Sequence, residues 1–427
     1  MNNLAFASSD IAPQLLGGPT LLAFLVQVAL LLCGALLLGS LARHYHLPAV
    51  VGELTAGLLL GPSILGNIAP GLAQYVVPQH AEQFHLLDAV GLLGVLLLVG
   101  LSGIELNLGL MRQQSKAVAR ISVLAAILPF ALGFGAGWLL PETFVPDGIS
   151  RNIFAMFLGI ALCVTAIPVI VKTLTDMRLL GHRIGQLTVS SAMIDDIVGW
   201  LLLSVISAVV VAGEVQAGDF ARPIIVLVLF LAFMLTVGRY IVRWALATAR
   251  RTGESGTTVM AMAVLIIGSA ALTHALGLEA VFGAFVCGIL IGTDPKFKRT
   301  ELPLVNYLLA PLFFAIVGLR VDITALGTPV VLGVAILVIA LAIIGKMAGA
   351  YLGARLSGLG NWESIAIGAA MNARGVVEIV IASVGLRLGV INTEMYTIIV
   401  LMAVVTSVMA PVILSYAVRR LPGSQQP

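Results

Sequence analysis

Residues 190–200 read SSAMIDDIVGW, which places two adjacent aspartates, Asp195 and Asp196, inside an apolar run that extends over residues 184–212. A run of this length can form a helix that crosses the ~30 Å hydrocarbon core of a bilayer, since a crossing needs about 20 residues. A charged side chain at that depth costs ~3 kcal/mol or more if it faces lipid. The stretch therefore predicts a polytopic membrane protein in which other helices enclose the two acids.

The composition of the whole chain supports this prediction. Of its 427 residues, 60% are hydrophobic and 10% are charged, whereas a soluble domain carries roughly 25% charged residues. The mean hydropathy is +1.10, and the formal net charge is only +3. These values exclude an ordinary soluble enzyme and predict a lipid bilayer, not a nucleic acid, as the main partner. We interpret Cys33, Cys163 and Cys287 as packing residues, because they lie far apart in apolar runs.

Apolar stretches long enough to cross a membrane recur along the chain, and we count thirteen. The second, ninth and tenth are short or contain Gly and Pro. The predicted spans are approximately 19–42, 48–68, 86–107, 116–140, 152–176, 184–212, 222–245, 257–276, 278–293, 303–319, 327–354, 362–386 and 395–418.

Lysine and arginine residues alternate between the two sets of loops that these spans define. One set of loops and loop ends holds 17 of the 23 basic residues and the other set holds 4, while Lys346 and Arg374 fall within spans. Basic residues concentrate in cytoplasmic loops. This distribution predicts a plasma-membrane protein, in bacteria one of the inner membrane. Residues 1–18 would lie outside and residues 419–427 would form a cytoplasmic tail.

Two of the predicted spans, the fifth and the twelfth, are interrupted near their middle. The fifth is interrupted by residues 165–168, which end at Pro168, and the twelfth by residues 372–375, which run from Asn372 to Gly375. Proline removes a backbone donor, and a buried arginine beside glycine does not fit an unbroken lipid-facing helix. The two spans lie seven helices apart and therefore run in opposite directions. Paired interrupted helices predict an inverted-topology transporter with its site near the membrane midplane.

Charged residues on three spans fall near one plane of the membrane. By helical rise, the two aspartates, Lys346 and Arg374 all lie ~13–18 Å from the cytoplasmic boundary. Neighbouring helical residues point about 100° apart. One aspartate can therefore meet a cationic side chain while the other faces a water-filled cavity. Arg374 and Glu378, four residues apart, are predicted to form an ion pair on one helix.

An excess carboxylate at the midplane suggests what the protein transports. A hard monovalent cation prefers oxygen ligands, which an aspartate, the Thr165 hydroxyl and freed carbonyls of an interrupted helix can supply. The same carboxylate can hold a proton instead, and a buried carboxylate beside a like charge holds a proton more tightly than one in water. Competition of this kind, with alternating access, is sufficient for antiport. We expect no cofactor.

Six segments together resemble the monovalent cation:proton antiporter-2 family of bacterial Na+/H+ antiporters. The resemblance covers nearly the whole chain in order. The segments are VVGELTAGLLLGPSILG from Val50, LLLVGLSGIELN from Leu96, TAIPVIVKTL from Thr165, SSAMIDDIVGW from Ser190, GKMAGAYLGARLSG from Gly345 and MNARGVVEIV from Met371.

The resemblance implies a thirteen-helix fold that works as a homodimer by an elevator-like displacement. It implies a dimer domain at approximately 19–107 and 257–319, a linker helix at approximately 222–245, and a core domain at approximately 116–212 and 327–418. It also implies that Asp196 is the main carrier of cation and proton, that Asp195 pairs with Lys346, and that Thr165 is a polar ligand. An Asp-Asp pair in this family accompanies electrogenic Na+(Li+)/H+ exchange.

Two alternatives stay open at this point. The chain has no acidic residue after Thr165, in contrast to sodium-specific members of the family, so a K+/H+ antiporter or K+ efflux transporter is the first alternative. An intramembrane aspartyl protease is the second and more distant one. Such a protease needs two carboxylates that face one water molecule, whereas adjacent helical aspartates diverge.

Overall fold

The computed structural model describes residues 18–45, 49–71, 81–105, 115–177, 182–212, 221–294 and 308–420, together with residues 73, 77 and 179. Almost all of the predicted N-terminal segment 1–18 and most of the predicted tail 419–427 lie outside the described residues. So do residues 46–48, 72, 74–76, 78–80, 106–107 and 295–307 of the predicted dimer domain. Within the described ranges every regular element is a helix.

The helices of four or more residues are numbered here in chain order, with the short 3-10 turns and one π-helical turn left unnumbered. They are α1 (Gly18–His44), α2 (Ala49–Leu60), α3 (Leu65–Ile68), α4 (Ala81–Glu105), α5 (Ser115–Leu139), α6 (Arg151–Cys163), α7 (Ile167–Asp176), α8 (Arg183–Ala212), α9 (Ala221–Phe233), α10 (Arg239–Arg250), α11 (Ser255–Ala275), α12 (Ala280–Gly292), α13 (Ala310–Leu319), α14 (Pro329–Leu356), α15 (Asn361–Met371), α16 (Val376–Arg387) and α17 (Thr393–Val418).

Each of the thirteen predicted spans overlaps one of these helices or two in succession. In the described part of the chain, nine spans are long and apolar enough to cross a membrane, whereas α6, α12 and α13 are shorter apolar helices of 10–13 residues. The prediction of an all-helical, multi-pass membrane protein is confirmed. The seventh predicted span contains a π-helical turn at Met234–Gly238, between α9 and α10.

The two predicted interruptions lie against each other. The first leaves residues 164–166 outside any helix, between α6 and α7, and the second separates α15 from α16 at residues 372–375. The backbone N–H of Ala166 donates to the carbonyl oxygen of Ala373 at 3.1 Å. This hydrogen bond joins one break to the other, so the two discontinuous helices cross.

Two details of the predicted interruptions were wrong. Pro168 was placed in the break, but it lies in the first turn of α7, which begins at Ile167. A proline is tolerated there because the first-turn N–H groups have no intrahelical acceptor. Arg374 and Glu378 were placed on one helix. Arg374 lies in the second break, while Glu378 lies in the first turn of α16, whose N-cap is Gly375.

A close contact between α5 and α14 sets the depth of Lys346. Gly345, Gly349 and Gly353 lie four residues apart on α14 and face the backbone of α5. A Cβ atom added at Gly349 would lie 2.2 Å from the carbonyl oxygen of Leu124, and one at Gly353 would lie 2.6 Å from that of Arg120. Small residues at this spacing let membrane helices approach closely. Lys346, next to Gly345, is thereby held at a fixed position.

We expect Gly349→Ala to destabilise the protein, because the added methyl group forces α5 and α14 apart. Overpacking of a close contact costs about 1–3 kcal/mol. The measurement is the midpoint of thermal unfolding in detergent. Gly333→Ala is the matched control, since it lies on the same helix and a Cβ there would meet no atom within 4 Å. Equal midpoints for the two variants would contradict the close approach.

Candidate functional site

The two adjacent aspartates lie on α8 and are sealed from the surface. Asp195 is 3% exposed and Asp196 is 1% exposed. Both polar contacts of Asp195 reach the same oxygen, Oδ2, which accepts from Thr165 Oγ1 at 3.0 Å and from Lys346 Nζ at 2.6 Å. Oδ1 of each aspartate is buried without a hydrogen-bond partner among the described residues. The structure therefore brings Thr165, Lys346 and Asp195 together and leaves Asp196 beside them.

Lys346 connects the aspartates to the end of the first broken helix. Its Nζ also donates to the carbonyl oxygen of Cys163, the last residue of α6. The last carbonyls of a helix have no intrahelical donor and carry a partial negative charge. The lysine therefore neutralises both a carboxylate and a helix end.

Arg374 lies in the second break and forms hydrogen bonds with the same end of α6. Its guanidinium donates to the carbonyl oxygens of Ala161 at 3.1 Å and Leu162 at 2.5 Å, and to that of Ala342 on α14 at 3.3 Å. The hydroxyl of Ser407 on α17 donates to the Arg374 carbonyl. Two buried cations thus cap the C-terminus of α6 in the middle of the protein. Sequence reasoning missed this role, because backbone carbonyl acceptors have no signature in the residue pattern.

Glu378 faces Arg374 and lies in the first turn of α16. Its Oε2 accepts from the backbone N–H of Gly375 at 2.9 Å, and its Oε1 lies 3.7 Å from Arg374 Nη1. A carboxylate in the first turn of a helix is favoured by the helix dipole. Asn372, at the C-cap of α15, is fully buried, and neither its amide nitrogen nor its amide oxygen has a partner in the described part of the chain. Asn372 thus leaves an unused oxygen at the second break.

The charges at the two breaks do not balance. Among the described side chains there, three fully buried carboxylates, those of Asp195, Asp196 and Glu378, accompany two fully buried cations, those of Lys346 and Arg374. Asp195 is paired with Lys346 and Glu378 with Arg374. Asp196 is the carboxylate without an ion pair among the described residues. A buried, unpaired charge is unfavourable, so the site gains free energy by taking up one monovalent positive charge.

Comparisons with known proteins agree on one family. Residues 28–420 match the family model described as sodium/hydrogen exchanger, transmembrane. The chain is 34% identical to the Na+/H+ antiporter NhaS4 of Synechocystis sp. over 397 residues, which cover 91% of this chain and 95% of NhaS4. It is 30% identical to cation/H+ antiporter 18 of Arabidopsis thaliana over 92% of this chain, but spans only 48% of that longer protein.

A solved structure shares the fold. The structure of the sodium proton antiporter MjNhaP1 from Methanocaldococcus jannaschii superimposes with a TM-score of 0.68 over 95% of this chain and 100% of that chain, at 17% sequence identity. The similarity to MjNhaP1 supports the architecture, and the sequence matches support the family that the six segments resembled. The chain belongs to the sodium/hydrogen exchanger family of secondary membrane transporters, which are not enzymes.

Proposed function

We propose that this protein exchanges a monovalent cation, Na+ or Li+, for protons, and that both bind at Asp196. The observation that carries the proposal is the single excess negative charge of the buried site. Either Na+ or H+ at Asp196 neutralises that charge. Once one of them is bound, the site has no excess negative charge left to attract the other. The similarity to NhaS4 over nearly the full length of both chains supports the same function.

The oxygen atoms for the cation come from α8 and from both breaks. Asp196 supplies a carboxylate with an unpartnered oxygen, and Asn372 supplies an unpartnered amide oxygen. Asp195 and Thr165 complete the proposed site, because Asp195 Oδ1 has no partner among the described residues and the Thr165 hydroxyl oxygen keeps acceptor capacity. Lys346, Arg374 and Glu378 hold the surrounding backbone in place and do not themselves bind the cation.

Electrogenic exchange needs a second proton carrier besides Asp196. The excess charge alone accounts for one proton per cation, which would move no net charge. We assign the second proton to the Asp195–Lys346 pair. When the carboxylate of Asp195 coordinates a cation, its ion pair with Lys346 becomes weaker. Lys346 would then remain as a buried positive charge without a carboxylate partner, which is unfavourable. We propose that Lys346 couples transport to the membrane potential in this way.

The arrangement of the protein in the membrane completes the proposal. We propose a homodimer in the bacterial inner membrane, with the N-terminus outside and the C-terminus in the cytoplasm. The dimer domain would comprise 19–107 and 257–319, the linker helix 222–245, and the core domain 116–212 and 327–418. The core domain would carry the site from one side of the membrane to the other.

Reconstituted protein tests the function. In proteoliposomes with an imposed pH gradient, we expect addition of Na+ or Li+ to dissipate the gradient, and choline to leave it intact. K+/H+ exchange is the second candidate, because the residue after Thr165 is Ala166 and not an acid. Dissipation by K+ alone would establish that alternative, and no dissipation by any of the three cations would contradict antiport.

A further inference from the structure

Four buried polar atoms lie in a file on one face of α8. They are Asp196 Oδ1, Trp200 Nε1, Ser204 Oγ and Ser207 Oγ, and none has a hydrogen-bond partner among the described residues. Intervals of four, four and three residues keep all four side chains within an arc of about 80° on the helix. The file extends ~16 Å along the axis, from the candidate site toward the C-terminal end of α8.

The two serine hydroxyls differ from many helical hydroxyls in the described part of the chain. Serine and threonine in a helix commonly donate to the carbonyl four residues earlier. Thr188 does so to Ile184 at 2.8 Å, and Thr406 does so to Met402 at 2.8 Å. Ser204 and Ser207 do not, although they are 0% and 3% exposed. An unpartnered buried hydroxyl is unfavourable. A file of such groups on one face therefore favours a polar species that hydrogen-bonds to all of them.

The outer end of the file lies beside a cavity. Ser207 lines a cavity of about 590 Å³, here called the Ser207 cavity, which also borders His274, Glu279 and Arg387. Arg387 Nη2 donates to Glu279 Oε1 at 2.8 Å across this cavity, which joins the end of α16 to the start of α12. Ser207 thus borders the cavity, while its hydroxyl oxygen is buried and has no hydrogen-bond partner among the described residues.

An aromatic contact lies beside the inner part of the file. The ring of Trp200 packs against that of Phe285 on α12, with the ring centroids 6.0 Å apart. Trp200 is 1% exposed and lies one helical turn from Asp196, between it and the serines. Its indole N–H can donate to water but cannot bind a cation. An aromatic side chain therefore lies between Asp196 and the two serines.

We propose that this face of α8 is the route by which the transported cation, its water and the proton pass between the Ser207 cavity and Asp196. The inference rests on the proposed function. The serine oxygens replace part of the hydration shell of the cation, and Trp200 separates the hydrated part of the route from the site. By the proposed orientation, the Ser207 cavity faces the outside.

Cysteine labelling tests the route. Ser207→Cys and Ser204→Cys are made in the full chain with Cys33→Ser, since Cys33 is exposed whereas Cys163 and Cys287 are buried. A membrane-impermeant, cationic methanethiosulfonate is added to one side of sealed vesicles, and the mass of the protein reports modification. Ile206→Cys is the matched control, because Ile206 is equally buried at 1% exposure and lies about 160° around the helix from Ser204 and about 100° from Ser207.

We expect both serine-position cysteines to react from the outside at least about tenfold faster than the control, because a thiol sealed in apolar packing is nearly inert. Equal rates for Ser204→Cys and Ile206→Cys, or reaction only from the cytoplasmic side, would overturn the route. Labelling does not depend on transport. A failed route would therefore leave antiport intact, and a failed transport assay would leave the labelling result interpretable.

Discussion

Asp196→Asn is expected to abolish cation/proton exchange while leaving the protein folded. Asparagine has nearly the same shape as aspartate but carries no charge, so the buried site loses its excess negative charge and with it the driving force to bind either Na+ or H+. Because the removed charge is buried and unpaired, the thermal unfolding midpoint should stay the same or rise. The measurement is dissipation of a pH gradient in proteoliposomes by Na+, Li+ and K+.

Asp147→Asn is the matched control for this experiment. It makes the same chemical change at an exposed position in the loop between α5 and α6, and we expect it to retain wild-type exchange. If Asp196→Asn still exchanged Na+ for protons at a rate near that of the control, Asp196 would not be the carrier.

Lys346→Met should lower both the stability of the protein and the charge moved for each Na+ transported. The substitution removes the cation that Asp195 contacts at 2.6 Å and the donor to the Cys163 carbonyl. Breaking one side of a buried ion pair costs about 3–5 kcal/mol, because the other charge remains buried without a partner. We therefore expect a lower unfolding midpoint, together with a smaller current for each Na+ transported across a solid-supported membrane.

A second variant separates the two roles of Lys346. Asp195→Asn combined with Lys346→Met removes both charges, so it should recover most of the lost stability but not the current. Lys116→Met, at an exposed position on α5, is the control for loss of a lysine. An unchanged charge per Na+ in the Lys346→Met variant would contradict the role of this lysine in voltage coupling.

The fold could be predicted largely from the sequence, because its signals are strong and repeat along the chain. Apolar runs of sufficient length and the alternation of basic residues located the helices. Proline and a buried Arg-Gly pair located the two breaks. Pro168 was nevertheless assigned to the break, because proline both ends a helix and fits its first turn. Only the backbone geometry distinguishes the two.

The arrangement of the candidate site was harder to predict. Depth along the helices brought Lys346 and Arg374 to the plane of the aspartates. It did not reveal that both cations cap the end of α6, since their acceptors are backbone carbonyls. The glycines at 345, 349 and 353, which position Lys346, have the four-residue spacing that is typical of closely packed membrane helices. This spacing could have predicted from the sequence that α14 packs closely against another helix.

Release of protons on cation binding tests the central claim most directly. Purified protein in lipid nanodiscs is placed in weakly buffered solution, and NaCl or choline chloride is added while the pH is recorded. If one carboxylate holds either a cation or a proton, NaCl should release protons in proportion to the protein present, and choline chloride should release none. Binding of Na+, measured calorimetrically in the same sample, without any release of protons would contradict a shared site.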